Sequence, residues 1–229
     1  MFDRTTDLYD LTYAHKDYAQ ESAWVRDAVR ARVPEARTLL DVACGTGKHL
    51  EQLRNDFVCQ GLDIDARFVA IAANRSKVPI HVADMDEFDL GERFDAVICL
   101  FSAIGYSRDL PAAIASMARH VSPGGVLIIE PWFTPDEWLP GHLHVLDHEA
   151  DGVRLIRMSH SGIDGNIATM EMHHLVGTAS GVEHLVDTHR MTLFTLDEYE
   201  AGFRSAGLSC ELDHPGPFGR GALIGLPDS

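Results

Sequence analysis

The clearest candidate for ligand binding is a glycine-rich turn at residues 41–47, with the sequence DVACGTG. It follows a continuously apolar, strand-like run and precedes a helix-like segment. Gly45 and Gly47 allow the backbone to turn tightly and to approach a ligand closely. The N–H groups that begin the next helix point toward that ligand. The turn therefore predicts a binding site at the end of the first strand.

Asp41 and Leu50 indicate which kind of ligand this turn accepts. Asp41 ends the strand with a carboxylate, which attracts an ammonium group and repels a pyrophosphate. Leu50 stands where the glycine fingerprint of dinucleotide-binding folds has its third small residue. Both features favour a ligand that carries an ammonium group and no phosphate.

Acidic residues also follow the second and third strand-like runs. Asp63 is placed to accept hydrogen bonds from both hydroxyls of a ribose, as in the general rule for nucleotides. Asp84 could accept from an adenine amino group, with Ile64 and Met85 packing on the ring. The alternative is structural, since an aspartate at such a point often caps a helix or a turn. Of the two aspartates after the second strand, Asp65 is a better candidate for a helix cap than Asp63.

The elements around these motifs alternate between strand-like and helix-like patterns. Alternation of this kind predicts an α/β fold with a parallel sheet flanked by helices. Strands buried on both faces are continuously apolar, as these runs are. The predicted strands are 38–43, 58–62, 80–83, 96–101 and 126–130, and the predicted helices are 47–55, 66–75 and 109–120.

The two ends of the chain have other patterns. Residues 1–36 are amphipathic and helix-like, and the turn signals after Pro131 indicate a small antiparallel insertion. Thr195 and Glu198 form a capping-box pattern that predicts the start of a helix. The predicted elements are insertion strands at 153–159, 167–176 and 182–194, a helix at 196–206, and closing strands at 208–213 and 221–226.

The composition excludes several classes of partner. The chain has 229 residues with 19 Lys and Arg against 35 Asp and Glu, a formal net charge of −16. Nucleic-acid binders carry a basic footprint, so nucleic acid and anionic membranes are not expected as partners.

No long apolar run predicts a membrane span and no signal peptide is visible, so we expect a cytoplasmic protein with reduced cysteines. The histidines have no zinc-type spacing, and no metal is expected.

Taken in order, these motifs resemble those of the class I S-adenosylmethionine-dependent methyltransferases. The turn at 41–47 matches their glycine motif, Asp63 their ribose acid, Asp84 and Met85 their adenine motif, and VSPGG at 121–125 the turn before their fifth strand. The resemblance implies one domain over 1–229, with a seven-stranded sheet that ends in a reversed hairpin. It also implies S-adenosylmethionine as the cofactor, with residues 1–36 as a helical cover.

A narrower resemblance is to the N-methyltransferases of nucleotide-linked aminosugars, which make the dimethylamino sugars of macrolide antibiotics. The segments LLDVACGTGKHL, MDEFDL, CLFSAIGY, GGVLIIEPWF, RMSHS, HRMTLF and GPFGRG carry it. It implies that 142–194 forms a β insertion over the active site. Tyr9 and Leu100 would then lie near the methionine end of the cofactor. The implied cofactor residues are Tyr9, Asp41, Ala43, Gly45, Gly47, Asp63, Ile64, Asp84, Met85 and Leu100.

The same resemblance implies an acceptor site, with two departures from the family pattern. Tyr106 stands where the family usually has His, and Phe218 stands where it usually has Ser. The family has an aromatic residue near the acceptor in an extended N-terminus, for which Phe2 is the one candidate here. The residues implied to face the sugar nucleotide are Trp132, Arg157, Arg190 and Arg220.

The chemistry of the acceptor side can also be argued from residue types. Arginine donates two hydrogen bonds to a phosphate in a fixed geometry, although surface ion pairs are the alternative for Arg157 and Arg190. A neutral amine needs alignment more than activation. We therefore expect no single essential base, with Tyr106 positioning the amine and with Glu130 and His189 as candidate proton acceptors.

Other functions fit parts of the sequence. The acceptor could be another small molecule, such as an amino acid, a polyamine or a phenol. A nicotinamide-dependent oxidoreductase fits less well, because of Leu50 and because no Tyr-x-x-x-Lys pair follows Tyr106. A cofactor-binding protein without catalysis is a third reading. A homodimer is possible.

Overall fold

The computed structural model describes residues 8–213 and 218–227, which form two compact units. The first, here called the insertion unit, combines the described residues up to Lys16 with Thr134–Leu193. The second, here called the core unit, contains Asp17–Phe133 and the described residues from Phe194 onward.

Eleven strands and six α-helices make up the described chain. The strands are β1 Thr38–Val42, β2 Val58–Asp63, β3 Ile80–Val82, β4 Phe94–Cys99, β5 Val121–Ile129, β6 Leu143–Ala150, β7 Val153–Asp164, β8 Ile167–Thr178, β9 Gly181–Thr192, β10 Glu211–Asp213 and β11 Ala222–Gly225. The helices are α1 Tyr9–Thr12, α2 Tyr18–Arg32, α3 Lys48–Leu53, α4 Ala66–Ser76, α5 Leu110–Arg119 and α6 Leu196–Ser205.

The core unit is built on one seven-stranded sheet. Its strand order is β10-β11-β5-β4-β1-β2-β3. The strands β1 to β5 pair in parallel, whereas β11 is antiparallel to β5 and to β10. This is the expected seven-stranded sheet with a reversed C-terminal hairpin, so the predicted fold class is confirmed.

Helices cover both faces of this sheet with apolar side chains. On one face α5 and α6 contribute Ile114, Met117 and Phe203 to a buried layer. On the other face α2 and α3 contribute Val29 and Leu50 to a second layer. Strands enclosed in this way have no solvent-facing side, which explains why β1, β4 and β5 have apolar residues at consecutive positions.

The insertion unit contains a separate antiparallel sheet in the order β6-β7-β8-β9. Along β9 buried and exposed residues alternate, which is the period of a sheet with one covered face. Three of its strands lie where the sequence predicted them, but β6 was not predicted. Its residues are almost all exposed, so β6 lacks the apolar alternation that would mark it as a strand.

Two helix starts have clear local causes. The predicted helical segment 1–36 is divided in its described part into α1 and α2, because the Asp17 side chain accepts from the Gln20 N–H and begins a new helix. The capping box of Thr195 and Glu198 is confirmed at the start of α6. Within residues 8–213 and 218–227, no helix has the length and apolar composition needed to cross a lipid bilayer.

Candidate functional site

The glycine-rich turn leaves β1 through three residues with positive φ. Ala43, Gly45 and Gly47 have φ of 58°, 54° and 76°. A Cβ on Gly47 would lie 2.9 Å from the Cβ of Ala72, so this position has no room for a side chain. Both the left-handed backbone and the close packing therefore require glycine at position 47.

Asp41 is the buried carboxylate of this turn. It is 2% exposed, and no described residue donates a hydrogen bond to its Oδ2 atom. Burial, and secondarily the negative charge of Asp63, raise the pKa of Asp41 well above the ordinary value. A buried carboxylate without a donor is costly, and an ammonium group would supply the missing partner. Asp41 therefore fits the amino group of S-adenosylmethionine.

Asp63 braces the turn from the end of β2. One carboxylate oxygen accepts from the N–H of Gly45 at 2.9 Å and the other from the N–H of Asp65 at 2.9 Å. Burial raises the pKa of Asp63, and these backbone hydrogen bonds oppose the shift. Each carboxylate oxygen has a second lone pair, so the same group can accept from ribose hydroxyls.

The predicted adenine residues lie at the ends of β2 and β3. Asp84 forms an ion pair with Arg108, with Oδ2 and Nη2 2.6 Å apart, and accepts from the Asp86 N–H at 3.0 Å. The side chain of Ile64 is exposed, whereas Met85 packs partly buried against the apolar layer under α5. These residues follow neighbouring parallel strands, and they share the carboxyl edge of the sheet with Asp41.

Leu100 follows β4, which is the neighbour of β1 on the side opposite β2. Strand order reverses between β1 and β4, and ligands of open α/β sheets bind at that switch point. Leu100 is 3% exposed. The structure thus brings the predicted cofactor residues of the core unit to one edge. Tyr9 belongs to the insertion unit.

Glu130 directly follows β5 and joins three segments of the core unit. Its carboxylate accepts from the Phe101 N–H, from the Ser102 hydroxyl at 3.2 Å and from the Arg220 guanidinium at 2.8 Å. Phe101 and Ser102 both have left-handed backbone, with φ of 54° and 55°. Residues without glycine's freedom adopt this conformation only when their surroundings hold them in it.

Arg220 is held between this carboxylate and two aromatic rings. Its guanidinium carbon lies 5.5 Å from the ring centroid of Trp132 and 5.1 Å from that of Phe133. The Arg220 side chain is 25% exposed, so part of the cation still faces solvent. Trp132, Glu130 and Arg220 were predicted separately, and the structure brings them together. Phe133 was missed, although it directly follows Trp132 after the fifth strand.

Tyr106 lies beyond the same segment. It ends a short 3₁₀ turn, Ala103–Tyr106, which begins directly after Ser102. Tyr106 is half-buried. Its position depends on the backbone that Glu130 holds. Ser102 was also missed by sequence reasoning, because its role depends on a contact with Arg220, which is 118 positions away.

A second polar cluster lies on the covered face of the insertion sheet. Arg157, His174, Asp187 and His189 come from three adjacent strands and are all at least nine-tenths buried. The guanidinium of Arg157 lies 5.7 Å from the ring centroid of Tyr13, and His189 Nε2 lies 3.5 Å from Asp187 Oδ2. Two of the predicted site residues, Arg157 and His189, belong to this cluster.

Arg190 and Phe2 are not part of this cluster. Arg190 follows His189 in β9, so its side chain lies on the opposite face of the sheet. There it forms an ion pair with Asp164 at 3.0 Å, and both side chains are more than half exposed. This is the surface pair that sequence reasoning kept open for Arg190. Phe2 lies outside the described residues.

The chain is similar to known methyltransferases in both sequence and structure. The sequence model of the family described as "Methyltransferase domain" matches residues 39–125. Over 96% of this chain and 90% of the relative, the sequence is 44% identical to dTDP-3-amino-3,6-dideoxy-alpha-D-glucopyranose N,N-dimethyltransferase of Streptomyces fradiae. It is 43% identical to dTDP-3-amino-3,4,6-trideoxy-alpha-D-glucopyranose N,N-dimethyltransferase of Streptomyces venezuelae, over 96% of this chain and 97% of that one.

The structural comparison agrees with the sequence comparison. The S-adenosylmethionine-bound structure of CalS10, an amino pentose methyltransferase of Micromonospora echinaspora, superposes with a TM-score of 0.90. The two chains are 36% identical, and the match covers 96% of this chain and 97% of the other. The buried carboxylate of Asp41, the glycine turn and these relatives lead to one assignment. The chain belongs to the family of dTDP-aminosugar N,N-dimethyltransferases, which are class I S-adenosylmethionine-dependent methyltransferases.

Proposed function

We propose that this enzyme transfers methyl groups from S-adenosylmethionine to the amine of a dTDP-linked aminosugar and makes the dimethylamino product. Asp41 is the observation that carries this proposal, because its buried oxygen has no donor among the described residues and matches an ammonium group. The acceptor follows from two relatives that are N,N-dimethyltransferases of dTDP-linked aminosugars and are 44% and 43% identical to this chain.

The cofactor is held by the carboxyl edge of the core sheet. In this proposal Asp41 binds the amino group, and the backbone at Ala43, Gly45 and Gly47 lies against the methionine portion. Asp63 binds the ribose hydroxyls. Ile64, Asp84 and Met85 surround the adenine, while Leu100 and Tyr9 lie near the methionine end.

Arg220 is the proposed partner of the acceptor's diphosphate. Its Nη2 atom donates to Glu130 and its Nε atom to Ser102, and a quarter of the side chain remains exposed. The rings of Trp132 and Phe133 lie beside the cation and fix its direction. A guanidinium restrained in this way loses little conformational entropy when it binds a phosphate. Arg157 is proposed to contact the sugar nucleotide, whereas the exposed ion pair of Arg190 with Asp164 supports a structural role for Arg190.

Glu130 acts as a positioning residue in this proposal. Its carboxylate already accepts three hydrogen bonds, so it holds Arg220 and the left-handed segment at Phe101 and Ser102. Tyr106 follows that segment and positions the acceptor amine by its hydroxyl. Proton removal needs no single essential base, although His189 remains a candidate.

When bound, S-adenosylmethionine would supply a methyl group on a sulfonium. The amine nitrogen takes this methyl group as the N–C bond forms and the C–S bond breaks. The nitrogen then releases a proton. The chain's contribution is alignment and the exclusion of water, which can lower the barrier by about 7–11 kcal/mol. Tyr106 and Arg220 perform this alignment at the two ends of the acceptor.

The experiment is a mass-spectrometric assay of the purified protein with S-adenosylmethionine and dTDP-3-amino-3,6-dideoxyglucose. We expect sequential addition of two methyl groups.

Tyr106→Phe should lower kcat/KM by about tenfold to a hundredfold, the usual range for one lost positioning contact. Asp27→Asn, at an exposed site on α2, serves as the control and should retain full activity. The absence of methylated product contradicts the proposed activity. An unchanged kcat/KM for Tyr106→Phe contradicts the positioning role.

The cellular setting is proposed on a separate observation. All four cysteines are free thiols, and three of them are buried. Free thiols of this kind fit a reducing compartment, so we propose that the enzyme works in the cytoplasm. A homodimer is also proposed, and light scattering of the purified protein at several concentrations tests it.

A further inference from the structure

The polar cluster of the insertion unit surrounds a small pocket. Tyr9 and Tyr13 of the N-terminal segment line it, together with Arg157, His174 and Asp187 of the sheet. The space open to the centre of a water-sized group is about 10 Å³. That volume is close to the least that holds one water molecule, so the pocket accommodates one small polar group.

His174 is the unexplained residue of this pocket. It is 3% exposed, and neither of its ring nitrogens has a hydrogen-bond partner among residues 8–213 and 218–227. The Nε atom of Arg157 is buried and lacks a partner in the same part of the chain. Buried polar groups in native proteins are almost always paired. Three such atoms belong to two residues that line one pocket, which indicates that the pocket receives a polar group.

The charges of the pocket indicate a neutral group. Arg157 contributes a positive charge and Asp187 a negative one, so the pocket has little net preference for an ion. Burial, and secondarily the positive charge of Arg157, lower the pKa of His174 to about 4. The imidazole is then neutral at physiological pH, with one nitrogen that donates and one that accepts. A hydroxyl group can donate to the accepting nitrogen of this ring, and its oxygen can at the same time accept from the Arg157 Nε–H.

We infer that this pocket binds one ring hydroxyl of the acceptor sugar, with His174 and Arg157 as its hydrogen-bond partners. The inference rests on the proposed function, and it makes His174 a specificity residue for hydroxylated sugars. A site built to hydrogen-bond a hydroxyl discriminates strongly against an analogue without it, because its buried polar groups are then left unpaired.

The test uses three acceptors that carry the same 3-amine. The first is the dTDP-linked 3-amino-3,6-dideoxy sugar, which keeps hydroxyls at C2 and C4. The second is its 4-deoxy form, the 3-amino-3,4,6-trideoxy sugar named for the Streptomyces venezuelae relative. The third is the corresponding 2-deoxy form. For the wild type we expect one of the two deoxy acceptors to lose about tenfold to a hundredfold in kcat/KM.

Two variants of β8 separate the pocket from general effects on the sheet. His174→Phe keeps a ring of similar shape but removes both hydrogen-bonding atoms, so the three acceptors should then react within about threefold of one another. His173→Phe changes the neighbouring histidine on the opposite, more exposed face. This matched control should discriminate among the acceptors as the wild type does.

The outcomes distinguish the two proposals. If the wild type methylates all three acceptors with similar kcat/KM, the pocket binds only water and the inference is overturned, while the proposed function stands. The same holds if His174→Phe keeps the wild-type discrimination. If no acceptor is methylated, both proposals fail.

A direct readout covers the case in which His174→Phe does not fold. In wild-type protein with ¹⁵N-labelled histidines, the His174 signal should shift when the hydroxylated acceptor binds. It should shift much less with the deoxy acceptor that reacts poorly. Equal shifts for all three acceptors, or none, would show that no sugar hydroxyl reaches His174.

Discussion

In the proposed cofactor site, the side chain of Asp41 serves binding and lowers the stability of the free protein. In the free protein its charge is buried near that of Asp63, which raises its pKa well above the ordinary value. An ammonium group beside it would favour the charged form and lower that pKa again. In the proposed complex, cofactor binding and the ionisation of Asp41 are therefore coupled.

We predict that binding of S-adenosylhomocysteine, which keeps the amino group, releases a proton. The release occurs at pH values between the pKa of Asp41 in the complex and its raised pKa in the free protein, and affinity rises with pH through that window. Calorimetric titration in buffers of different ionisation enthalpy measures the released proton. Asp41→Asn should weaken binding and abolish this release, whereas Asp27→Asn should retain it. Proton release of the same size from Asp41→Asn would contradict the assignment.

The same residue has a consequence for the free protein. A raised pKa in the folded state stabilises the fold below the ordinary carboxylate pKa, and this contribution is lost as pH rises through the folded-state value. Removing the buried charge should then make ligand-free Asp41→Asn more stable at neutral pH. A gain of ~1 kcal/mol would raise Tm by about 2–4 °C in a protein of this size.

Among the elements, α6 has the most complete local explanation. Thr195 accepts from the Glu198 N–H, and the Glu198 carboxylate accepts from the Thr195 N–H at 2.7 Å. The helix places Tyr199 and Phe203, both fully buried, against the core sheet. Loss of the cap therefore affects the packed core as well as the helix end.

We predict that Thr195→Ala lowers the free energy of unfolding by about 1 kcal/mol, the usual cost of a lost helix cap. Denaturant unfolding followed by circular dichroism measures it. Glu200→Ala, an exposed change in the middle of the same helix, is the control and should stay within about 0.5 kcal/mol of wild type. Equal effects of the two substitutions would show that the capping box contributes nothing specific.

The elements also show where sequence reasoning succeeds and where it stops. Strands β1, β4 and β5 were predicted because their burial on both faces makes them continuously apolar. Strand β6 was missed because it is an exposed edge strand, and α1 and α2 were merged because one side-chain cap divides them. In each failure the deciding interaction is tertiary or a single hydrogen bond, which apolar periodicity does not record.

At the scale of the whole molecule, the net charge of −16 should oppose compaction. We predict that Tm rises when NaCl is increased from about 0.02 M to about 0.2 M at neutral pH, because salt screens this repulsion. Differential scanning calorimetry measures the shift. Near the sequence pI of about 5.1 the repulsion is small, and the salt effect should largely disappear. A salt effect of equal size at both pH values would contradict the explanation.

The residues of the site that could be predicted are those in short sequence motifs, and the residues that were missed depend on contacts between distant parts of the chain. Asp41 and Asp63 lie at the ends of their strands, the glycine turn follows β1, and their chemistry is visible in short motifs. The bond between Glu130 and Arg220 spans 90 positions, and His174 becomes unusual only when three strands bury it. Long-range pairing of this kind depends on the folded chain and leaves no short motif.

The arrangement of the insertion unit has a consequence for how this family changes over evolution. Its main segment leaves the core unit after Phe133 and returns at Phe194. Side chains alternate between the two faces of a strand. The insertion or deletion of two residues in each of two paired strands therefore keeps the remaining side chains on their original faces. Such changes leave the register of the seven-stranded sheet untouched. If this segment binds part of the acceptor, as proposed, mutations in it change the acceptor while the cofactor residues of the core unit stay the same.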